Sequence, residues 1–153
     1  MKIILFHPQI PQNTGNIARS CAATNTGLVL VRPLGFSISD RQMKRAGLDY
    51  WDKLNVEVID DLDAYIQAQS VPTFMLSSKA KRSYSDAKFT LDANLIFGSE
   101  TEGLPPSLWE KYPENFYTIP MAPGPRCLNL ASSAAVVLYE ALRQTGFSFS
   151  QQS

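Results

Sequence analysis

Histidine and cysteine are scarce in this sequence: His7, Cys21 and Cys127 are the whole complement. Two thiols are too few for a disulfide framework, and one imidazole beside them gives no zinc-ligand spacing, so no metal is expected. Charge of one sign is missing too. Fourteen Lys and Arg offset fourteen Asp and Glu, which removes the basic surplus that usually accompanies nucleic-acid binding. Any RNA contact must come from a local patch. Long apolar runs are absent: nothing approaches the roughly 18 residues of a membrane helix. The opening Met1–Pro8 has only a brief apolar run and reads as a first strand, not a secretory leader. The phosphate-loop lysine pattern, a Gly-x-Gly-x-x-Gly turn after the first strand and the Gly-x-Ser-x-Gly elbow are also lacking. These absences count against a dinucleotide site and a serine-hydrolase triad; His7, at a strand end, reads as structural or pocket-lining more readily than catalytic.

What is present suits one ordinary domain. Over 153 residues, 44% are hydrophobic and 18% charged, enough for a core without metals or disulfides. A cytoplasmic protein, a single domain over 1–153 and a frayed tail from about Ser148 are the expectations. Runs at 2–7, 27–32, 55–59, 72–77, 94–98 and 116–121 have the composition of strands. Helices are expected at 15–25, at 61–69 and at 105–112 with proline at its start, and a short one from Ser39 or Asp40 to Ala46, ended by Gly47. Such alternation predicts an α/β fold, a mostly parallel sheet with helices on both faces. The clearest helix is the last: Leu130, Ala134, Val137, Leu138, Ala141 and Leu142 repeat on one face before Gly146. Ala135 and Val136 widen that stripe beyond one sheet face, enough to meet a partner subunit as well.

Three polar, glycine-bearing stretches each follow a candidate strand, where α/β proteins place their chemistry. In Pro11–Arg19, a helix opening near Gly15 puts Asn16 and Arg19 on one face with Asn13 just ahead of it. That suits an RNA phosphate or a sugar, and equally an asparagine cap with a surface arginine. In Phe97–Pro105, Gly98 and Gly103 let the loop approach a bulky ligand, and Glu100 or Glu102 can hold a ribose hydroxyl or a cationic centre. Two acids one residue apart are weak support for a paired-carboxylate hydrolase. In Ala122–Asn129, prolines stiffen a loop before Arg126 and Asn129, and Asn129 can cap the final helix. Two basic clusters are candidate RNA patches or simply solvated faces: Arg41, Lys44 and Arg45, and Lys79, Lys81 and Arg82 with Tyr84 and Lys88.

Taken in order, these stretches resemble the three signature motifs of SPOUT-class RNA 2'-O-methyltransferases. Asn13–Arg19 is similar to the first, Phe97-Gly98-Ser99-Glu100 with Gly103-Leu104-Pro105 to the second. Ile119-Pro120-Met121, Arg126–Leu130 and Tyr139-Glu140 are similar to the third, and Arg45–Trp51 resembles the small single-domain subgroup acting on the wobble nucleotide of tRNA. The resemblance implies a C-terminal trefoil knot (the SPOUT fold), bound S-adenosyl-L-methionine, and a homodimer whose active site uses both subunits. It implies methylation of the ribose 2'-hydroxyl of cytidine or uridine 34, with the tRNA anticodon stem-loop as partner. Carried to matching positions, Arg19 is at the catalytic centre, Asn13 is beside it and Glu100 supports the site, orienting Arg19 or a neighbouring donor. Leu76, Ser77, Ser78, Gly98, Ile119, Cys127, Leu128 and Asn129 are the expected cofactor-binding positions. Much of the family has serine where Cys127 stands and asparagine where Ser132 stands. Two rivals stay open: another RNA, such as ribosomal RNA, as the substrate, and a non-catalytic RNA-binding α/β protein.

Overall fold

The computed structural model describes residues 1–39, 41, 45 and 51–149. Six short strands form one fully parallel sheet: β1 (Lys2–Phe6), β2 (Gly27–Val31), β3 (Val56–Ile59), β4 (Thr73–Leu76), β5 (Asn94–Phe97) and β6 (Phe116–Tyr117), in spatial order β3-β2-β1-β5-β4-β6. The four central strands are near-continuous apolar runs because both faces are covered. Register aligns Ile4 with Val29 and Ile96, and Ile96 with Met75, on one face. Those residues pack on Leu62 and Ile66 of α2 (Leu62–Gln67) and Leu108 of α3 (Pro106–Lys111). The alternate residues Ile3, Leu5, Leu30 and Leu95 pack on Ile17, Ala18 and Cys21 of α1 (Pro11–Thr24) and on Ala134, Val137 and Leu138 of α4 (Leu130–Gln144). The expected α/β architecture, with helices on both faces, is the one observed.

Two boundaries differ by more than two residues from the sequence expectation. Helix α1 opens at Pro11, so Asn13 is buried inside its first turn instead of preceding it, and Gly15 is buried further along instead of opening it. Proline suits that first position, since its missing N–H has no intrahelical partner there. The last strand stops at Tyr117; Thr118 keeps one parallel bridge to Ser83, and the chain then leaves the sheet. The expected helix around residues 39–47 falls mostly outside the described residues, as do Lys44 and 46–50, while Arg41 and Arg45 are exposed. Among the described residues, no helix is long and apolar enough to cross a membrane.

The topology creates a crevice. β1 and β5 are neighbours, yet β1 leads into α1 on one face and β5 leads into α3 on the other. Where adjacent strands send their connections to opposite faces, the carboxyl ends of the strands are left open. All three polar stretches lie at that edge.

Candidate functional site

A cavity of about 590 Å³ opens at the carboxyl ends of β4 and β5. Leu76, Ser77 and Ser78 line it from the end of β4, and Gly98 to Leu104 from the end of β5. Ile119, Met121 and Arg126 to Leu130 come from the segment between β6 and α4, and Ile10 and Asn13 come from the start of α1. Every expected site residue except Arg19 is therefore on its wall. Arg19 lies on the exposed face of α1, with Gln12, Asn16 and Ala23, one turn or more from the buried Asn13. The shared face of Asn16 and Arg19 is as expected, but neither residue lines this cavity. His7 also stays off the cavity wall; its backbone is left-handed (φ 50°) and its ring stacks on Phe6 at 3.7 Å. That conformation turns the chain out of β1.

Three hydrogen-bonded side chains, one from each polar stretch, join the stretches. The Glu100 carboxylate accepts from the backbone N–H of Gln9 (2.8 Å) and of Ile10 (3.0 Å), and from Asn13 Nδ2 (3.3 Å). Asn13 Oδ1 accepts in turn from Asn129 Nδ2 at 3.0 Å. Asn129 Oδ1 then caps α4 through the N–H groups of Ala131 (2.8 Å) and Ser132 (3.3 Å). The positive end of α1 thus meets an anion from the protein itself, Glu100, where the sequence suggests a phosphate. The donor that Glu100 orients is Asn13.

Glycine makes the tight loop possible. A Cβ on Gly98 would lie 2.2 Å from the Gly103 carbonyl carbon, so the loop closes only without a side chain there. Gly103 itself sits at φ 66°, and its N–H donates to the Ser99 carbonyl at 3.1 Å. The two thiols have different surroundings. Cys21 is buried, and desolvation pushes it up to about 12, whereas Cys127 is exposed on the cavity wall. Sequence reasoning missed Trp109 on the wall, and it placed Lys79 in a basic patch and Leu104 in a motif without expecting either to line the cavity. It also missed Gln9, whose Oε1 accepts from Thr101 Oγ1 at 2.8 Å. The signal for Gln9 was its place directly after the first strand.

The basic cluster after β4 divides. Arg82 donates to the Glu114 carbonyl and sits 4.5 Å from the Tyr117 ring centroid, so it is engaged with its own fold. Lys79, Lys81 and Lys88 are exposed. A larger cavity, about 800 Å³, opens at the opposite, amino edge of the sheet beside Lys2, Asn55 and Asn94. It contains none of the Glu100 or Asn129 loop residues, so volume alone does not mark the site. Among the described residues, no group of His, Cys, Asp and Glu is arranged to hold a metal.

Comparison with known proteins agrees with this geometry. The chain is 46% identical over 147 residues to the tRNA (cytidine(34)-2'-O)-methyltransferase of Methylovorus glucosotrophus, covering 95% of this chain and 96% of that one. It resembles a solved structure concerning the 2-OH methylation of C/U34 on tRNA, with TM-score 0.89, 39% identity and 95% of each chain covered. It also resembles the SpoU methyltransferase AviRb from Streptomyces viridochromogenes, solved in complex with the cofactor AdoMet. There the TM-score is 0.82 with 25% identity, over 95% of this chain and 60% of that one. The pattern of the SpoU rRNA methylase family matches residues 1–139, and the chain belongs to that family.

Proposed function

We propose that this chain methylates the ribose 2'-hydroxyl of nucleotide 34, a cytidine or uridine, in tRNA, using S-adenosyl-L-methionine. The observation that carries the reading is the gathering of all three polar stretches around one cavity at the switch point of the sheet. Its size is within the roughly 300–1,000 Å³ range of small-molecule sites. Its surface also fits the cofactor. Leu76, Phe97, Leu104 and Ile119 give apolar contact for a purine, and the exposed backbone of residues 126–128 gives polar contacts. The carboxylates of Glu100 and Glu102 suit a sulfonium. Bound there, the cofactor supplies a methyl group already activated as an electrophile.

The chain's own residues then have positioning work. Asn13 and Glu100 form a fixed polar wall beside the reacting ribose, and Asn129 fixes the cofactor loop to it. Arg19 offers a planar guanidinium fork, which serves by holding an RNA phosphate and stabilising negative charge developing on the 2'-oxygen. Its place on the exposed face of α1, off the wall of its own chain's cavity, supports an active site completed by a second subunit of a homodimer. Val136 and Tyr139, 39% and 49% exposed on α4, offer apolar surface for that contact. A trefoil knot fits the path of the chain: from the outer strand β6 it returns across β4 and β5, and α4 packs against α1. The segment at 82–84 brackets the crossing, with Arg82 and Tyr84 hydrogen-bonded to Thr118.

The test is transfer of labelled methyl from S-adenosyl-L-methionine to total tRNA lacking the modification, followed by nucleoside mapping. Label in 2'-O-methylated nucleotide 34 is expected. Label only at other tRNA nucleotides, transfer to ribosomal RNA alone in a parallel reaction, or RNA binding with no transfer at all, would overturn the assignment.

A further inference from the structure

The geometry points to Gln9 as a positioning residue for methyl transfer, acting with Thr101; the inference rests on the proposed function. Gln9 is exposed and lies off the cavity wall, behind the residues that line it. It is nevertheless bonded twice over to the loop that carries Glu100. Its N–H donates to Glu100 Oε2 at 2.8 Å, and its side-chain Oε1 accepts from Thr101 Oγ1 at 2.8 Å and from the Thr101 N–H at 3.3 Å. The turn after β1 and the turn after β5 are thereby clasped by main chain and side chain together.

The clasp is backed from behind. The Gly35 N–H donates to the Pro8 carbonyl at 2.9 Å, and a Cβ on Gly35 would lie 2.7 Å from the Gln9 Cα. Gln9 therefore has little room to retreat from Thr101. Exposed hydrogen bonds contribute little to folding, because water replaces them readily. Their cost of formation is better explained by what they locate: the Glu100 carboxylate, and through it the Asn13 amide. Small displacements of such groups are expensive in rate while leaving ground-state binding nearly unchanged.

Full-length wild type, Gln9→Ala, Thr101→Val, the double variant and Gln9→Glu are compared by steady-state methyl transfer to tRNA and by thermal midpoint. Gln9→Ala and Thr101→Val are each expected to lower kcat ~10-fold, because both loosen the same carboxylate. KM for S-adenosyl-L-methionine should stay within about twofold, the mark of an interaction realised in the transition state. The double variant should be no worse than either single one, since the two groups act as one unit. Gln9→Glu keeps an acceptor for both Thr101 donors and should restore most of kcat. Wild-type kcat in both single variants would overturn the inference while leaving the proposed function standing. So would losses of kcat that track equal losses of cofactor affinity and thermal stability, which would make the clasp merely structural. A wild-type chain that transfers no methyl group would overturn the proposed function and this inference with it.

Discussion

Two walls of the same cavity are built in opposite ways. The wall that includes Ile10, Asn13 and Ser99–Gly103, with Gln9 behind it, is cross-linked by hydrogen bonds between residues about 90 positions apart in sequence. The wall formed by Met121–Leu128 is exposed throughout and makes no hydrogen bond to other described residues. It is pinned only at its ends, by the pairing of Thr118 with residues 82–84 and by the Asn129 cap. A wall fixed in advance presents its charge and dipoles without reorganising when a reaction begins. A wall of solvated backbone groups can instead exchange water for a ligand. The fixed wall should thus govern turnover, and the open wall affinity.

The largest test of that division is Glu100→Gln. The carboxylate accepts three hydrogen bonds, two from backbone N–H groups at the head of α1. An amide keeps one acceptor oxygen and turns a donor toward another donor. We expect methyl transfer to fall by about 10²-fold or more, the scale for removing one preorganised charge-stabilising group. Thermal stability should fall much less, by under about 1 kcal/mol, because the backbone N–H groups that lose their acceptor are exposed and water replaces it. Single-turnover methylation and thermal unfolding of the same variant check both. Normal turnover in Glu100→Gln would show that the fixed wall is only scaffolding.

Asn129→Ala probes the hinge between the walls. It removes the α4 cap, worth about 1 kcal/mol, and the bond to Asn13. For a chain of this size that corresponds to a fall in Tm of about 2–4 °C. Cofactor affinity should drop more than kcat, because the exposed loop loses one of its two anchors. Isothermal binding and turnover on one preparation separate the effects; unchanged affinity would mean the open wall needs no anchor.

How much of this was legible in the sequence depends on the range of the interaction. The α4 stripe is a local period, and its cap at Asn129 is a local rule, so both are readable from residues within two turns. The parallel sheet follows from apolar runs alternating with helical segments. The start of α1 was misplaced by four residues because Gly15 reads as a turn, although Pro11 is the better signal for a first helical position. The contact of Glu100 with Gln9 and Ile10 has no local signature at all. Neither does the outward aim of Arg19: spacing puts it beside Asn16, but only the burial of Ile17, Ala18 and Cys21 decides which way that face points. The gathering of the three stretches at one cavity needed the strand order.

Thiol chemistry sharpens the same contrast with a smaller effect. Cys127 sits on the open wall, whereas Cys21 is buried and held well above the usual thiol range. A thiolate is the reacting species. One equivalent of a thiol reagent should therefore be consumed by the native protein, with the second released only on unfolding. Saturating S-adenosyl-L-methionine should slow modification of Cys127 while leaving the total unchanged. Protection absent at saturation would place the cofactor elsewhere than against this wall.

The smallest expected effect concerns the far end of α4, which both walls depend on for their shared anchor. Glu140 is held at about 2, first by hydrogen bonds from Arg143 and then by one from Gln144. Its pKa in the unfolded chain is near the ordinary 4.5, so the folded state binds fewer protons between those values. The sign follows: the contribution is fully present above about pH 4.5 and is lost as pH falls toward 2. Arg143 is largely exposed (64% of its side chain), so solvent screens the pair and the contribution is small. Glu140→Gln should lower Tm at neutral pH by only about 1–2 °C. The difference from wild type should shrink steadily below about pH 4.5, and thermal unfolding of the two proteins in parallel from about pH 7 to about pH 3 measures it. A gap that stays constant with pH would assign the loss to packing of the side chain and not to its charge. A gap that also weakens cofactor binding would show that the open wall responds to the whole length of α4, not just to its cap.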